Sequence, residues 1–130
     1  MKTLVLDTST LILLAKIDLL DLLTAKVAVR IPQAVKEEAA RKKDLSDARL
    51  IAGFIEDKKI EVVQVSGQGW IRKLMEDFRL GAGEAEAIFL AKEEGALLGV
   101  DDGPAIKACK VAGVQVTGAL GLLFRFYEKG

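Results

Sequence analysis

The chain has 130 residues, a length that fits one domain with a real core. Hydrophobic residues make up 51% and charged residues 29%, the balance of a soluble globular chain, and no stretch approaches the ~20 apolar residues of a membrane span. There is no histidine, which excludes Ser-His-Asp and Cys-His nucleophilic schemes and His-containing zinc sites, leaving carboxylates, lysines, hydroxyls or an oxygen-ligated metal.

Residues 2–6 form an apolar run ending at Asp7, read as a buried strand. Asp7 also interrupts what could otherwise pass for an export signal. Thr8, Ser9 and Thr10 are N-cap candidates for a helix over LILLAK, and 18–23 continues helical. A second strand is expected at 27–31, then a helix from Pro32 to about Lys43, proline being tolerated in a first turn. Asp44 and Ser46 offer caps for a helix over 47–57, and 60–65 reads as the third strand. After a turn at 66–69, residues 70–79 form an amphipathic helix with Trp70, Leu74 and Phe78 on one face. The LGAG segment breaks it, and a helix from Gly83 to about Glu94 stops at Gly95. Residues 96–100 are a fourth strand ending at Asp101-Asp102, 103–112 a helix, and 114–116 a fifth strand. Thr117-Gly118 opens a last helix, whose apolar LGLLFRFY run reads as core before interface. Strands that are nearly all apolar, alternating with helices, indicate an α/β fold with a parallel sheet covered on both faces.

Acids fall at the ends of the first and fourth strands, and open α/β sheets bind ligands outside the carboxyl ends of their strands. Asp7 and Asp101 would then converge and repel unless a cation or proton intervenes, and oxygen-only ligands favour Mg²⁺ or Mn²⁺. A strand-end Asp can equally cap the next helix. Val35 and Glu38 share a helix face, which turns Glu38 toward the sheet and leaves Glu37 solvated, although a local acidic pair also reads as surface charge. Glu84 lies in a first helical turn, where negative charge suits the helix dipole, and Glu86 follows two residues on. The single cysteine, Cys109, can form no intrachain disulfide and reads as a small buried hydrophobe in a cytosolic protein. The neutral net charge lacks the overall basic character of many nucleic-acid binders. Arg41, Lys42, Lys43, Lys16, Arg72 and Lys73 are candidate phosphate contacts, none assigned, since charge runs are usually solvated faces.

In sequence order the chain reads VLDTSTLILLAK, IPQAVKEEA, LGAGEAEAI, LLGVDD and VQVTGALGLL. This ordered set resembles the PIN-domain family, nearest its small prokaryotic members, across essentially the whole chain, read as one domain over 1–130. The resemblance implies a three-layer α/β/α sandwich with a five-stranded parallel sheet ordered 3-2-1-4-5. It implies an Mg²⁺- or Mn²⁺-dependent nuclease cutting RNA, with catalytic and metal-binding acids at Asp7, Glu38, Glu84 (Glu86 second) and Asp101 (Asp102 adjacent), and a hydroxyl at Thr8 or Ser9. It also implies a cytoplasmic toxin restrained by an antitoxin, and a homodimer; the residues themselves carry neither. Two departures stand out: Gly99 where the family often has Thr, and Glu84 where it often has Asp. A PIN-like module that binds RNA or serves as a scaffold without turnover is the competing reading. A receiver or dehalogenase-like phosphotransfer domain fits less well, because Asp7-Thr8-Ser9 is not D-x-D.

Overall fold

The structure, a computed structural model, describes residues 3–41 and 45–129. Five strands form one all-parallel sheet in the order β3-β2-β1-β4-β5: β1 is Thr3–Leu6, β2 Ala28–Pro32, β3 Ile60–Val63, β4 Leu97–Gly99 and β5 Val116–Thr117. The helices between and after them are α1 (Thr8–Lys16), α2 (Leu20–Lys26), α3 (Gln33–Ala40), α4 (Leu45–Glu56), α5 (Gln68–Phe78), α6 (Ala82–Glu94), α7 (Gly103–Ala112) and α8 (Ala119–Lys129).

The central strand β1 shows how the layers arise. Its side chains alternate across the sheet. Leu4 and Leu6 enter a core built with α1–α4 and Leu122 of α8. Val5 points the other way, into a core built from α5, α6 and α7. Helices therefore cover both faces, and the sheet order matches the expectation set by the family resemblance. Each of these side chains is fully buried, so truncating Leu4 or Leu6 to Ala should cost about 2–5 kcal/mol. Among the described residues no helix is long and apolar enough to cross a membrane.

Several boundaries differ from the sequence reading. Asp7, not the Thr8–Thr10 hydroxyls, caps α1, its side chain accepting from the Thr10 N–H, while all three hydroxyl residues lie inside the helix. Residues 18 and 19 are not helical; Asp18 has φ 59°, and the second helix starts at Leu20. Pro32 closes β2 and caps α3 from outside it, so the helix begins at Gln33 and ends at Ala40. Of the caps expected before α4, Asp44 lies outside the described residues and Ser46 sits inside the helix. Trp70 is 39% exposed, its ring tilted against that of Phe89 at a centroid distance of 5.6 Å, while Leu74 on the same face is buried in the core. Arg79, at φ 56°, ends α5 in a left-handed conformation before the LGAG segment. The fifth strand falls at 116–117 rather than 114–116. Val116 and Thr117 register there with Leu98 and Gly99.

Candidate active site

Parallel pairing of β1 with both β2 and β4 sets their carboxyl ends side by side. At that edge α1, α6, α7 and α8 begin, and an acid sits at each of these N-termini. Free N–H groups and the positive end of the helix dipole make such positions favourable for negative charge. Asp7 Oδ1 accepts from Thr10 N at 3.0 Å at the start of α1. Glu84 Oε1 accepts from Gly81 N at 3.2 Å, closing the first turn of α6 on its own N-cap. Asp102 Oδ2 accepts from Ala105 N at 3.2 Å and caps α7. Asp101 Oδ2 accepts from Ala119 N at 3.4 Å at the start of α8. The capping and functional readings of these acids are therefore compatible: helix N-termini hold like charges together at one edge.

Glu38 reaches the same place from α3. The Thr8 hydroxyl donates to its Oε1 at 2.5 Å, and Gly83 N–H donates to its Oε2 at 3.1 Å. Val35 is fully buried one turn earlier, which fixes the helix face that carries Glu38 inward, while Glu37 is exposed. Asp7, Thr8, Ser9, Glu38, Arg41, Gly81 and Glu84 line one cleft of about 410 Å³. Asp101 and Asp102 are exposed beside it. Glu86, the second choice at the third position, points elsewhere: its Oε1 accepts from Ala34 N at 3.1 Å and serves the start of α3.

Electrostatics set Asp7 apart. It is 2% exposed, and burial raises its pKa, opposed by the Thr10 contacts and reinforced by the charges of Asp101 and Asp102. The Thr10 hydroxyl lies close by, itself buried and without a well-formed hydrogen bond. Burial also raises the pKa of Glu84, reinforced by Asp102 and Asp7 and opposed by the Gly81 N–H. Burial pushes the Cys109 thiol up to about 12, with Asp7 adding to the shift, so it stays protonated at neutral pH and is no nucleophile.

The donor chemistry suits a hard divalent cation: oxygen ligands only, a buried carboxylate, and neighbouring charges that favour its protonation in the absence of a counter-ion. The side-chain directions are another matter. Among the described residues no three Cys, Asp or Glu side chains converge closely enough to hold a metal ion.

Position 99 has a packing explanation. A Cβ there would stand 2.7 Å from Leu6 Cδ2 and 3.4 Å from Thr10 Cγ2, so Leu6 fills the space a threonine would need. The Gly99 carbonyl still accepts from Asp7 N at 3.2 Å and continues the sheet to the site. One contributor escaped the sequence reading: the Gly83 N–H has no side-chain signature. Asp102 was expected beside Asp101, but its role as the cap of α7 was not, although an acid just before Gly103-Pro104 is a common helix-start pattern.

No curated protein matches the chain. Among solved structures it is similar to the Pyrobaculum aerophilum protein PAE2754, with a TM-score of 0.66, 16% identity and coverage of 98% of each chain. It is similar to a PilT N-terminus domain protein of Sulfolobus solfataricus at TM-score 0.66 and 20% identity, covering 95% of this chain and 92% of that one. It is also similar to VapBC2 of Rickettsia felis, solved bound to a DNA fragment from its promoter, at TM-score 0.60 and 14% identity, covering 89% and 98%. These likenesses concern the fold. A family model described as a PIN domain matches residues 3–130, and the chain belongs to the PIN-domain family.

Proposed function

We propose that this PIN domain is a metal-dependent ribonuclease that hydrolyses phosphodiester bonds of single-stranded RNA. The observation that carries the reading is the meeting of Asp7, Glu38 and Glu84 in one cleft, with the charges of Asp101 and Asp102 acting on Asp7. Asp7, Glu38, Glu84 and Asp101 are the residues proposed to hold Mg²⁺ or Mn²⁺, with Asp102 beside them. Such an ion, when bound, would activate water and offset charge developing on the phosphate. The chain's own contribution is preorganisation. Thr8 and Gly83 fix both oxygens of Glu38, and the buried edge of the sheet sets Asp7 at the floor of the cleft. Cleavage of labelled RNA in Mn²⁺, lost in Asp7→Asn, tests this.

One observation favours a second reading, an RNA-binding or scaffold module without turnover: each carboxylate already accepts from a helix N–H group, and among the described residues no three acids converge on a metal position. RNA binding with no cleavage in Mn²⁺ would support it.

We also infer that the domain works in the cytoplasm as the toxin of a toxin–antitoxin pair and forms a homodimer. The structural likeness to VapBC2 supports a protein partner. So does the exposed apolar surface on α1, its C-cap Ile17 and α8, the two helices packing together: Leu13 is 40% exposed, Ile17 44%, Leu120 66% and Phe124 63%. Leu122 of α8 is fully buried, so that helix serves both core and surface. Sedimentation of the purified chain, alone and with the product of any adjacent small gene, tests both inferences.

A further inference from the structure

An RNA strand entering the cleft meets carboxylates on nearly every side. Asp7, Glu38 and Glu84 line it, and Arg41 is the one cation among its described lining residues. Arg41 closes α3 as its C-cap, three residues beyond Glu38 and so on the same side of the helix. Its backbone N–H is occupied, donating to the carbonyls of Glu37 and Glu38 at 3.2 Å each.

An arginine this close to acids would ordinarily pair with one of them. Here the nearest carboxylates have other partners. Both Glu38 oxygens are taken, by the Thr8 hydroxyl and the Gly83 N–H, and Glu84 is held by Gly81 N–H. Among the described residues the Arg41 side chain makes no ion pair and no hydrogen bond, and it is exposed. Of the other candidate cations, Lys42 and Lys43 lie outside the described residues, Lys16 pairs with Asp47 at 2.6 Å and Lys73 with Asp77 at 3.2 Å. Lys92 donates to the Ala112 carbonyl at 2.6 Å.

We propose that the Arg41 guanidinium is the phosphate-binding group of the cleft, taking two oxygens of one substrate phosphodiester and fixing the strand against the acid cluster. A guanidinium is planar, permanently charged and matched to two phosphate oxygens at once, which an ammonium is not. The proposal rests on the nuclease reading for its substrate, but it is tested through binding.

The probe is a fluorescein-labelled single-stranded RNA dodecamer, followed by anisotropy in Ca²⁺ across a salt series. The parent is the Asp7→Asn full-length chain, chosen so that the RNA stays intact. Added Arg41→Ala should weaken binding about tenfold or more, the effect of losing one charge-assisted contact. It should also flatten the slope of log affinity against log salt by about 0.7, the share of one phosphate on a single strand. Arg41→Lys should keep the slope and lose part of the affinity. An unchanged melting temperature in both variants shows that the fold is intact. Binding of Arg41→Ala within twofold of the parent, or a parent that does not bind the dodecamer at low salt, overturns the proposal. If wild type binds through Arg41 yet never cuts RNA in Mn²⁺, the nuclease reading fails and the Arg41 assignment stands.

Discussion

The Thr8 hydroxyl donates to Glu38 Oε1 at 2.5 Å, joining the first turn of α1 to α3 across thirty residues of chain. Thr8 is 8% exposed, so this bond to a carboxylate is largely shielded from water. Thr8→Val keeps the shape and removes the donor. It should cost about 1.5–3 kcal/mol in urea unfolding, the range for a hydrogen bond to a charged group, and cut the rate of RNA cleavage at least tenfold. Thr8→Ser should restore most of both. A Thr8→Val variant with wild-type turnover would show that Glu38 needs no such restraint.

Gly83 holds the other side of the same carboxylate. A Cβ at this position would collide with Glu38 Oε1 and come within 2.9 Å of Thr8 Oγ1. Gly83→Ala should therefore displace Glu38 and lose about 1–3 kcal/mol, the scale for forcing an extra carbon into a packed site, although alanine is the better helix former. Thermal melts and cleavage assays should fall together.

Glu84 and Glu86 separate by role. Glu84→Gln should lower cleavage severely with little change in melting temperature. Glu86→Ala leaves the Ala34 N–H without its acceptor and should cost about 1 kcal/mol, as for a lost helix cap, with cleavage near wild type at temperatures where it is folded. The reverse pattern would move the ligand assignment to Glu86.

The raised pKa of Asp7 has a defined consequence for metal-free protein. A carboxyl whose folded pKa lies above its unfolded value, here the ordinary 3.8, keeps its proton longer in the native state. As pH rises above that value the unfolded chain loses its proton first, so stability falls until the folded group has also titrated. Below about pH 3.8 the contribution is fully present, and toward neutral pH it is lost. Glu84, raised from 4.5, acts in the same direction. In EDTA, Asp7→Asn should be more stable than wild type at pH 7, with the gap closing toward pH 4. Added Mn²⁺ should stabilise wild type and leave Asp7→Asn nearly unmoved. Parallel melting curves for the two proteins from pH 4 to pH 7 would contradict this.

The first, second and fourth strands were legible because each is a short apolar run with a chemically distinct residue at or just beyond its end: Asp7, Pro32, Asp101. Sheet order was not written in those runs and came with the family resemblance. Glu38 could be placed from Val35, since a buried residue one turn away fixes the helix face. Helix starts were less legible. The sequence offered both the Thr8–Thr10 hydroxyls and the strand-end Asp7 as caps, and only the structure chooses Asp7, whose carboxylate reaches the Thr10 N–H. Non-local partners were beyond reach. Nothing near Glu86 in sequence points to Ala34, and the backbone N–H of Gly83 has no residue code. The space at Gly99 depends on the length of Leu6 on the neighbouring strand. Arg41 sat in a basic run that reads as solvent-facing, and only the cleft geometry singles it out.

The central claim is that buried Asp7 anchors a metal-dependent cut in RNA. The most direct test is a single gel of labelled single-stranded RNA in Mn²⁺, with wild type, Asp7→Asn, and wild type plus EDTA in adjacent lanes. Cleavage by wild type alone is the expected result. Cleavage by Asp7→Asn at the wild-type rate, or by wild type in EDTA, would contradict it.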